Sequence, residues 1–119
     1  MLRLASLGSG SKGNATLVAS KDTVLLIDCG FPVREMMSRL PVLGLEATDI
    51  DAVLVTHEHS DHIAGVATFA RAASAPVYAT NGTRLSGKLD TARTVVEIES
   101  DSNFVVGDIA VTAVTVPHD

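Results

Sequence analysis

Three of the chain's four histidines fall within one six-residue stretch, His57-Glu58-His59-Ser60-Asp61-His62, directly after the apolar run Ala52-Val53-Leu54-Val55. Side chains alternate along an extended segment, so His57 and His59 project to one side and their imidazoles can converge on a single ion. Asp61 and His62 come where the chain must turn toward the next helix, placed to face a second ion beside the first. Imidazole together with carboxylate suits Zn²⁺, and also Mn²⁺ or Fe. Two such ions about 3.5–4 Å apart can share a hydroxide and hydrolyse a substrate. The bland alternative is a polar surface turn that happens to hold histidines; three of them with an aspartate at the exit of a buried strand argue against it. Glu58 and Ser60 alternate away from the cluster, toward solvent or a supporting position.

A second stretch invites a different chemistry. Gly8, Gly10 and Gly13 in Leu7-Gly-Ser-Gly-Ser-Lys-Gly-Asn14 spell G-x-G-x-x-G, and Asp28 follows about 20 positions after Gly8, as a dinucleotide fingerprint asks. That fingerprint must open a helix, whose N-terminus takes the pyrophosphate. Here a short β-prone segment, a turn at Ser20-Lys21-Asp22 and another apolar run follow, so a hairpin fits better. Nor is it a P-loop, since Lys12 is followed by Gly13 rather than Ser or Thr. The glycines read instead as a tight turn beside the histidine cluster.

The elements that must carry these residues can be read from hydrophobic period. Strands are expected over 2–7, 15–19, 23–27, 52–55, 76–79, 94–98, 103–106 and 109–116, with a turn at Val106-Gly107-Asp108. The run 23–27 is almost wholly apolar and β-branched, as in a strand buried on both faces. Val33, Met36, Met37 and Leu40 recur at helical spacing, with Pro32 in the first turn and Pro41 ending or kinking the helix; the two methionines read as core. An alanine-rich helix is expected over 63–73 and a polar one over 81–89. The order is that of a layered, mixed α/β domain.

With 119 residues there is room for one domain and a modest core, and 46% apolar composition favours folding. No membrane span and no signal peptide is visible. The single Cys29 excludes an internal disulfide, suits a reducing cytoplasm and reads as a small buried hydrophobe. Net charge is −5 and the nine Lys and Arg are scattered, so no basic nucleic-acid footprint is present.

Thr56-His-Glu-His-Ser-Asp-His62 resembles the metal motif of the metallo-β-lactamase superfamily. Leu26-Ile27-Asp28-Cys29-Gly30 resembles that family's strand ending in an aspartate behind the metal loop, and Gly10 to Asn14 its preceding glycine turn. More narrowly, "GSGSKGNATLV", "IDCGFPVRE", "DAVLVTHEHSDHIAGV" and "VPHD" are similar to the YycJ/WalJ-type metal-dependent exonucleases, over Leu4 to Asp119. The resemblance implies an αββα sandwich, of which this chain is the N-terminal half, a mixed sheet with flanking helices and the site at one sheet edge. It implies that His57, His59 and His118 bind a first metal, that Asp61 and His62 bind a second, that Asp61 also positions the attacking water, and that Asp28 orients a ligand histidine from behind. Asp119 is left without a role. Zn²⁺ is the implied metal, and the implied reaction is attack of a metal-bound hydroxide on a phosphodiester of nucleic acid.

The family pattern continues with a bridging aspartate and a further histidine, and neither follows Asp119. Residues 1–119 are therefore expected to be a truncated N-terminal portion of one domain, whose partner is a missing C-terminal half or another copy of the chain. Alongside the exonuclease reading stand a glyoxalase-II-like thioesterase or other small-molecule hydrolase, favoured by the acidic balance, and an inactive fragment with an unfinished metal site. Dinucleotide binding comes last.

Overall fold

The computed structural model describes residues 1–57 and 59–114. Strands β1 (Arg3–Gly8), β2 (Ala15–Ala19) and β3 (Val24–Ile27) form an antiparallel meander. Strands β4 (Ala52–Leu54), β5 (Val77–Thr80) and β6 (Val95–Ile98) then add in parallel, giving one six-stranded mixed sheet in the order β1-β2-β3-β4-β5-β6. Strands β7 (Asn103–Val106) and β8 (Ile109–Thr112) form a separate antiparallel hairpin. The glycine loop thus leads from β1 into an antiparallel partner strand, not into a helix, which removes the dinucleotide geometry.

The central strands are apolar because both faces are covered. Leu26, Val53 and Val55 belong to a core packed under the helices, with Met36, Leu40, Ile63, Val66 and Phe69. Leu25, Ala52 and Leu54 point the other way, into a second core closed by Val106 and Ile109 of the hairpin. Tyr78 and Phe104 stack across that layer, their ring centroids 5.3 Å apart. Strict alternation by two assigns neighbouring residues of one strand to opposite cores.

Helix α1 (Val33–Arg39) starts one residue later than the sequence suggests. Pro32 is its N-cap, and the Pro32 carbonyl accepts the N–H groups of Glu35 at 3.0 Å and Met36 at 3.1 Å. Pro41 lacks the N–H that another α-turn needs, so the chain tightens into a 3₁₀ turn, Leu40–Leu43, and ends on left-handed Gly44. The methionine pair is split: Met36 is fully buried while Met37 is 40% exposed.

The helix expected over 63–73 starts earlier and is broken at residues 64–65, giving α2 (Ser60–Ile63) and α3 (Val66–Ala73). In one continuous helix the Gly65 N–H would bond the Asp61 carbonyl. Instead Gly65 donates to the Cys29 carbonyl at 2.8 Å, and the Asp61 carbonyl accepts the Asn14 N–H at 2.7 Å. Outside partners replace the helical ones at that turn. Helix α4 (Asn81–Leu85) is also shorter than expected, because Ser86 bonds back to the Thr83 carbonyl at 2.6 Å and left-handed Gly87 follows. Leu89, the last apolar residue of the pattern, reaches the core without being helical. Strand β8 ends at Thr112; residues 115–116 of the expected strand lie outside the described residues.

Candidate metal centre

The parallel strands deliver their C-terminal ends to one edge of the sheet. Asp28 follows β3 there, and Thr56 and His57 follow β4. The Asp28 N–H bonds the Leu54 carbonyl at 2.8 Å, which ties the two strand exits together. Asp28 is buried and adopts φ +62°, a left-handed backbone that aspartate tolerates better than most residues. Its carboxylate is surrounded by donors. Oδ1 accepts the Thr56 N–H at 2.7 Å, while Oδ2 accepts the Thr56 hydroxyl and, at 2.7 Å, the Nδ1–H of His62.

Among the described residues, Asp28, His57 and His62 offer ligand atoms that all lie within 4.8 Å of one another. The rings of His57 and His62 are 4.7 Å apart between centroids, and those of His57 and His59 are 5.9 Å apart and nearly parallel. His57 is therefore closer to His62 than to the partner that alternation along a strand suggests. Asp61 and His62 both sit in the single turn of α2, where Asp61 Oδ2 lies 3.8 Å from His62 Nε2. His59 is the N-cap of α2, and its carbonyl accepts the N–H groups of His62 at 2.9 Å and Ile63 at 3.0 Å. Ser60 is exposed. Glu58, His118 and Asp119 lie outside the described residues.

The glycine loop holds this turn from the other side. Besides the main-chain bond already described, the Asn14 amide donates to the Asp61 carbonyl at 3.0 Å and to Asp61 Oδ2 at 3.2 Å. The same amide closes its own loop through the Gly10 carbonyl at 2.9 Å. Under the loop lies the ring of Phe31, and a Cβ at Gly13 would approach that ring to 2.6 Å. A Cβ at Gly30 would collide with the Asp61 carbonyl, and one at Gly65 with the Phe31 carbonyl. Gly30 and Gly65 are required by close backbone approach, and Gly13 by the ring of Phe31.

Asn14 and Thr56 are the residues that the reading of the sequence passed over. Both are neutral and stand beside titratable residues that carry the visible signal. Only their position, one ending a glycine turn and one preceding the first histidine, could have marked them.

Clustered imidazoles flanked by carboxylates are the donor set of Zn²⁺ and related transition-metal sites. The buried carboxylate that fixes one imidazole from behind is the support such sites need. The residues present fit a divalent ion.

A cavity of about 660 Å³ opens beside His57, walled by apolar residues such as Ile27, Leu54, Phe104 and Val111, with hydroxyls from Thr80 and Ser100. Residues 8–114 match the family profile of the metallo-beta-lactamase superfamily. The chain belongs to this superfamily. Among its curated relatives, the exodeoxyribonuclease WalJ of Streptococcus pneumoniae serotype 2 is 34% identical over 120 residues, covering 95% of this chain and 44% of that protein. The exodeoxyribonuclease YycJ of Bacillus anthracis is 35% identical over 123 residues, covering 99% of this chain and 46% of that protein. The chain spans about half the length of these curated relatives. A subclass B3 metallo-beta-lactamase isolated from a soil metagenome library superposes with a TM-score of 0.79 over 96% of this chain and 50% of that one, at 22% identity, a likeness of fold. The mixed sheet flanked by helices is thus the metallo-beta-lactamase α/β architecture. No helix among the described residues is long and apolar enough to cross a membrane.

Proposed function

We propose that this metallo-beta-lactamase chain carries the metal-binding portion of a metal-dependent phosphodiesterase that acts on nucleic acid, in the exonuclease manner for which WalJ and YycJ are named. The observation that supports the reading most is the convergence of His57, His62 and Asp61 at one sheet edge, braced by Asp28 and Asn14. In this reading His57 and His59, with His118, hold one divalent ion and Asp61 and His62 hold another. Zn²⁺ is the preferred ion, with Mn²⁺ or Fe as alternatives. A divalent ion bound there supplies Lewis acidity toward a phosphoryl oxygen and makes water a better nucleophile at neutral pH.

The chain's own residues do the rest. Asp28 fixes the ring of His62 so that Nε2 faces the site. Asn14 fixes the carboxylate of Asp61, which is positioned to orient a water and to hold its proton. Residues 1–119 form the N-terminal portion of a single domain in this reading, and additional polypeptide supplies the remaining ligands. The lone buried Cys29 fits a cytoplasmic setting.

The test begins with metal content by mass spectrometry on the purified chain beside a His57→Ala, His59→Ala double variant. One or two ions per chain, lost in the variant, support the site. Hydrolysis of single- and double-stranded DNA by a longer form spanning the relatives' full length then tests the reaction. Activity on thioesters or β-lactams alone sinks the nuclease reading. A small-molecule thioesterase is the second reading, favoured by the apolar walls of the cavity beside His57 and by the acidic balance of the chain.

A further inference from the structure

We propose that Thr56 is a positioning residue that fixes the tautomer of His57, so that a single carboxylate, Asp28, aims two imidazoles at once. The argument is one of donor counting. The Thr56 hydroxyl contacts both Asp28 Oδ2 and, at 2.8 Å, His57 Nδ1. It has one proton to give. An ionised carboxylate accepts only, so the hydroxyl proton goes to Asp28. What remains on the Thr56 oxygen are lone pairs, and His57 must then bring the hydrogen on Nδ1. In the neutral ring, the form that can hold a metal ion, the electron pair of His57 is thereby placed on Nε2.

His62 reaches the same state without a relay, since its Nδ1 lies 2.7 Å from Asp28 Oδ2. The two rings sit 4.7 Å apart between centroids, so both imidazoles belong to one compact cluster. The Thr56 N–H to Asp28 Oδ1 bond, 2.7 Å, locks the carboxylate's rotation and hence the direction of both imidazoles. Serine at this position keeps the hydroxyl. Valine keeps the branched shape and removes it.

The inference rests on the metal reading for its purpose but not for its test. Long-range ¹H–¹⁵N NMR on the metal-free chain, with ¹⁵N-labelled histidine, reads the tautomers directly. His57 and His62 are expected as Nδ1–H forms in the unaltered chain and in Thr56→Ser. In Thr56→Val, His57 is expected to lose that preference while His62 keeps it. Zn²⁺ affinity, measured by chelator competition, is expected to fall about 10–100-fold in Thr56→Val and to stay near the original in Thr56→Ser.

Finding His57 as Nε2–H in the unaltered chain overturns the proposal, whatever the variants do. So does a Thr56→Val chain with unchanged tautomer and unchanged affinity. A chain that binds no metal, yet loses the His57 preference in Thr56→Val, upholds the tautomer lock and sinks the metal reading instead.

Discussion

Asn14 is bonded to Asp61 three times across 47 positions of sequence, through its own N–H to the Asp61 carbonyl and through its amide to that carbonyl and to Oδ2. The main-chain bond replaces a helical one at the break between α2 and α3, and the side-chain bonds reinforce it and hold the Asp61 carboxylate in place. Asn14→Ala keeps the main-chain bond and removes the other two. Unfolding free energy is expected to fall by about 1–3 kcal/mol, the cost of leaving part-buried groups unpaired. Metal affinity should fall with it. Asn14→Asp should bind metal no better than Asn14→Ala, because it sets a second negative charge against Asp61. Urea denaturation and metal competition read both effects.

Asp28 does two things at once, and two substitutions separate them. Its backbone is left-handed, a region that Asn shares with Asp and that Ala enters at about 1–2 kcal/mol. Its carboxylate accepts three hydrogen bonds, from the Thr56 main chain, the Thr56 hydroxyl and His62. Asp28→Asn retains the backbone and loses acceptor capacity. It should lose about 1–3 kcal/mol, since its amide N–H groups would face a donor in a buried site, and bind metal about 10–100-fold more weakly. Asp28→Ala should lose stability as well. Equal stability of the two variants would show that neither the left-handed turn nor the acceptor that Asn retains contributes to stability.

The sequence already spoke clearly where pattern and chemistry coincide. The hairpin after the glycine loop, the doubly buried Leu25 and Leu26, and the cluster His57 to His62 follow from apolar period and ligand spacing. Long-range hydrogen bonding was silent. Nothing local in Ile63-Ala64-Gly65-Val66 announces that Gly65 bonds Cys29 across the fold, so one helix was read where two exist. Met37 continues the helical stripe of Met36, yet no core lies above it. Within the site, alternation placed His57 with His59, whereas entry into α2 after His59 swings His62 toward His57. That swing depends on helical dihedrals at Ser60, which spacing alone does not encode.

Gly65→Ala tests the backbone junction behind the site. Its new Cβ would strike the Phe31 carbonyl and approach the Cys29 carbonyl to 3.2 Å, and neither is a flexible side-chain tip. Overpacking against rigid backbone costs at least the usual 1–3 kcal/mol or so for a crowded core. A chain of this size should become largely unfolded or lose a large part of its stability, seen as a lower melting temperature by circular dichroism. Gly82→Ala, whose Cβ meets nothing within 4 Å, is the matched control and should be nearly silent.

Cys29 should resist alkylation. Burial, with the negative charge of Asp28 beside it, pushes its thiol up to about 12. The thiolate is the reactive form, so at neutral pH almost none is present and none is exposed. Iodoacetamide is expected to leave the folded chain unlabelled and to add one label per chain in denaturant, read by intact-mass spectrometry. Rapid labelling of the folded chain would mean that the β3 exit opens often, and with it the Asp28 support of the site.

The β7–β8 hairpin is latched to the β2–β3 turn by Asp108, whose Oδ1 accepts the Ser20 hydroxyl and whose N–H donates to the Thr23 hydroxyl at 3.2 Å. The Ser20 hydroxyl above all, then that of Thr23, holds the Asp108 carboxyl below its ordinary value of 3.8. A carboxyl depressed in the folded state stabilises fully above its unfolded pKa and loses that contribution as pH falls through the folded one. The stability gap between the original chain and Asp108→Asn is therefore expected to be constant near neutrality and to shrink below about pH 4, closing when the folded carboxyl is protonated. Glu97, also depressed through Asn81 and Arg84, is present in both chains and cancels in the difference. Denaturant midpoints of the two chains across that range decide the matter. A gap that stays the same into acid would mean that the carboxylate's charge contributes nothing and that only the shape of the latch holds the hairpin down.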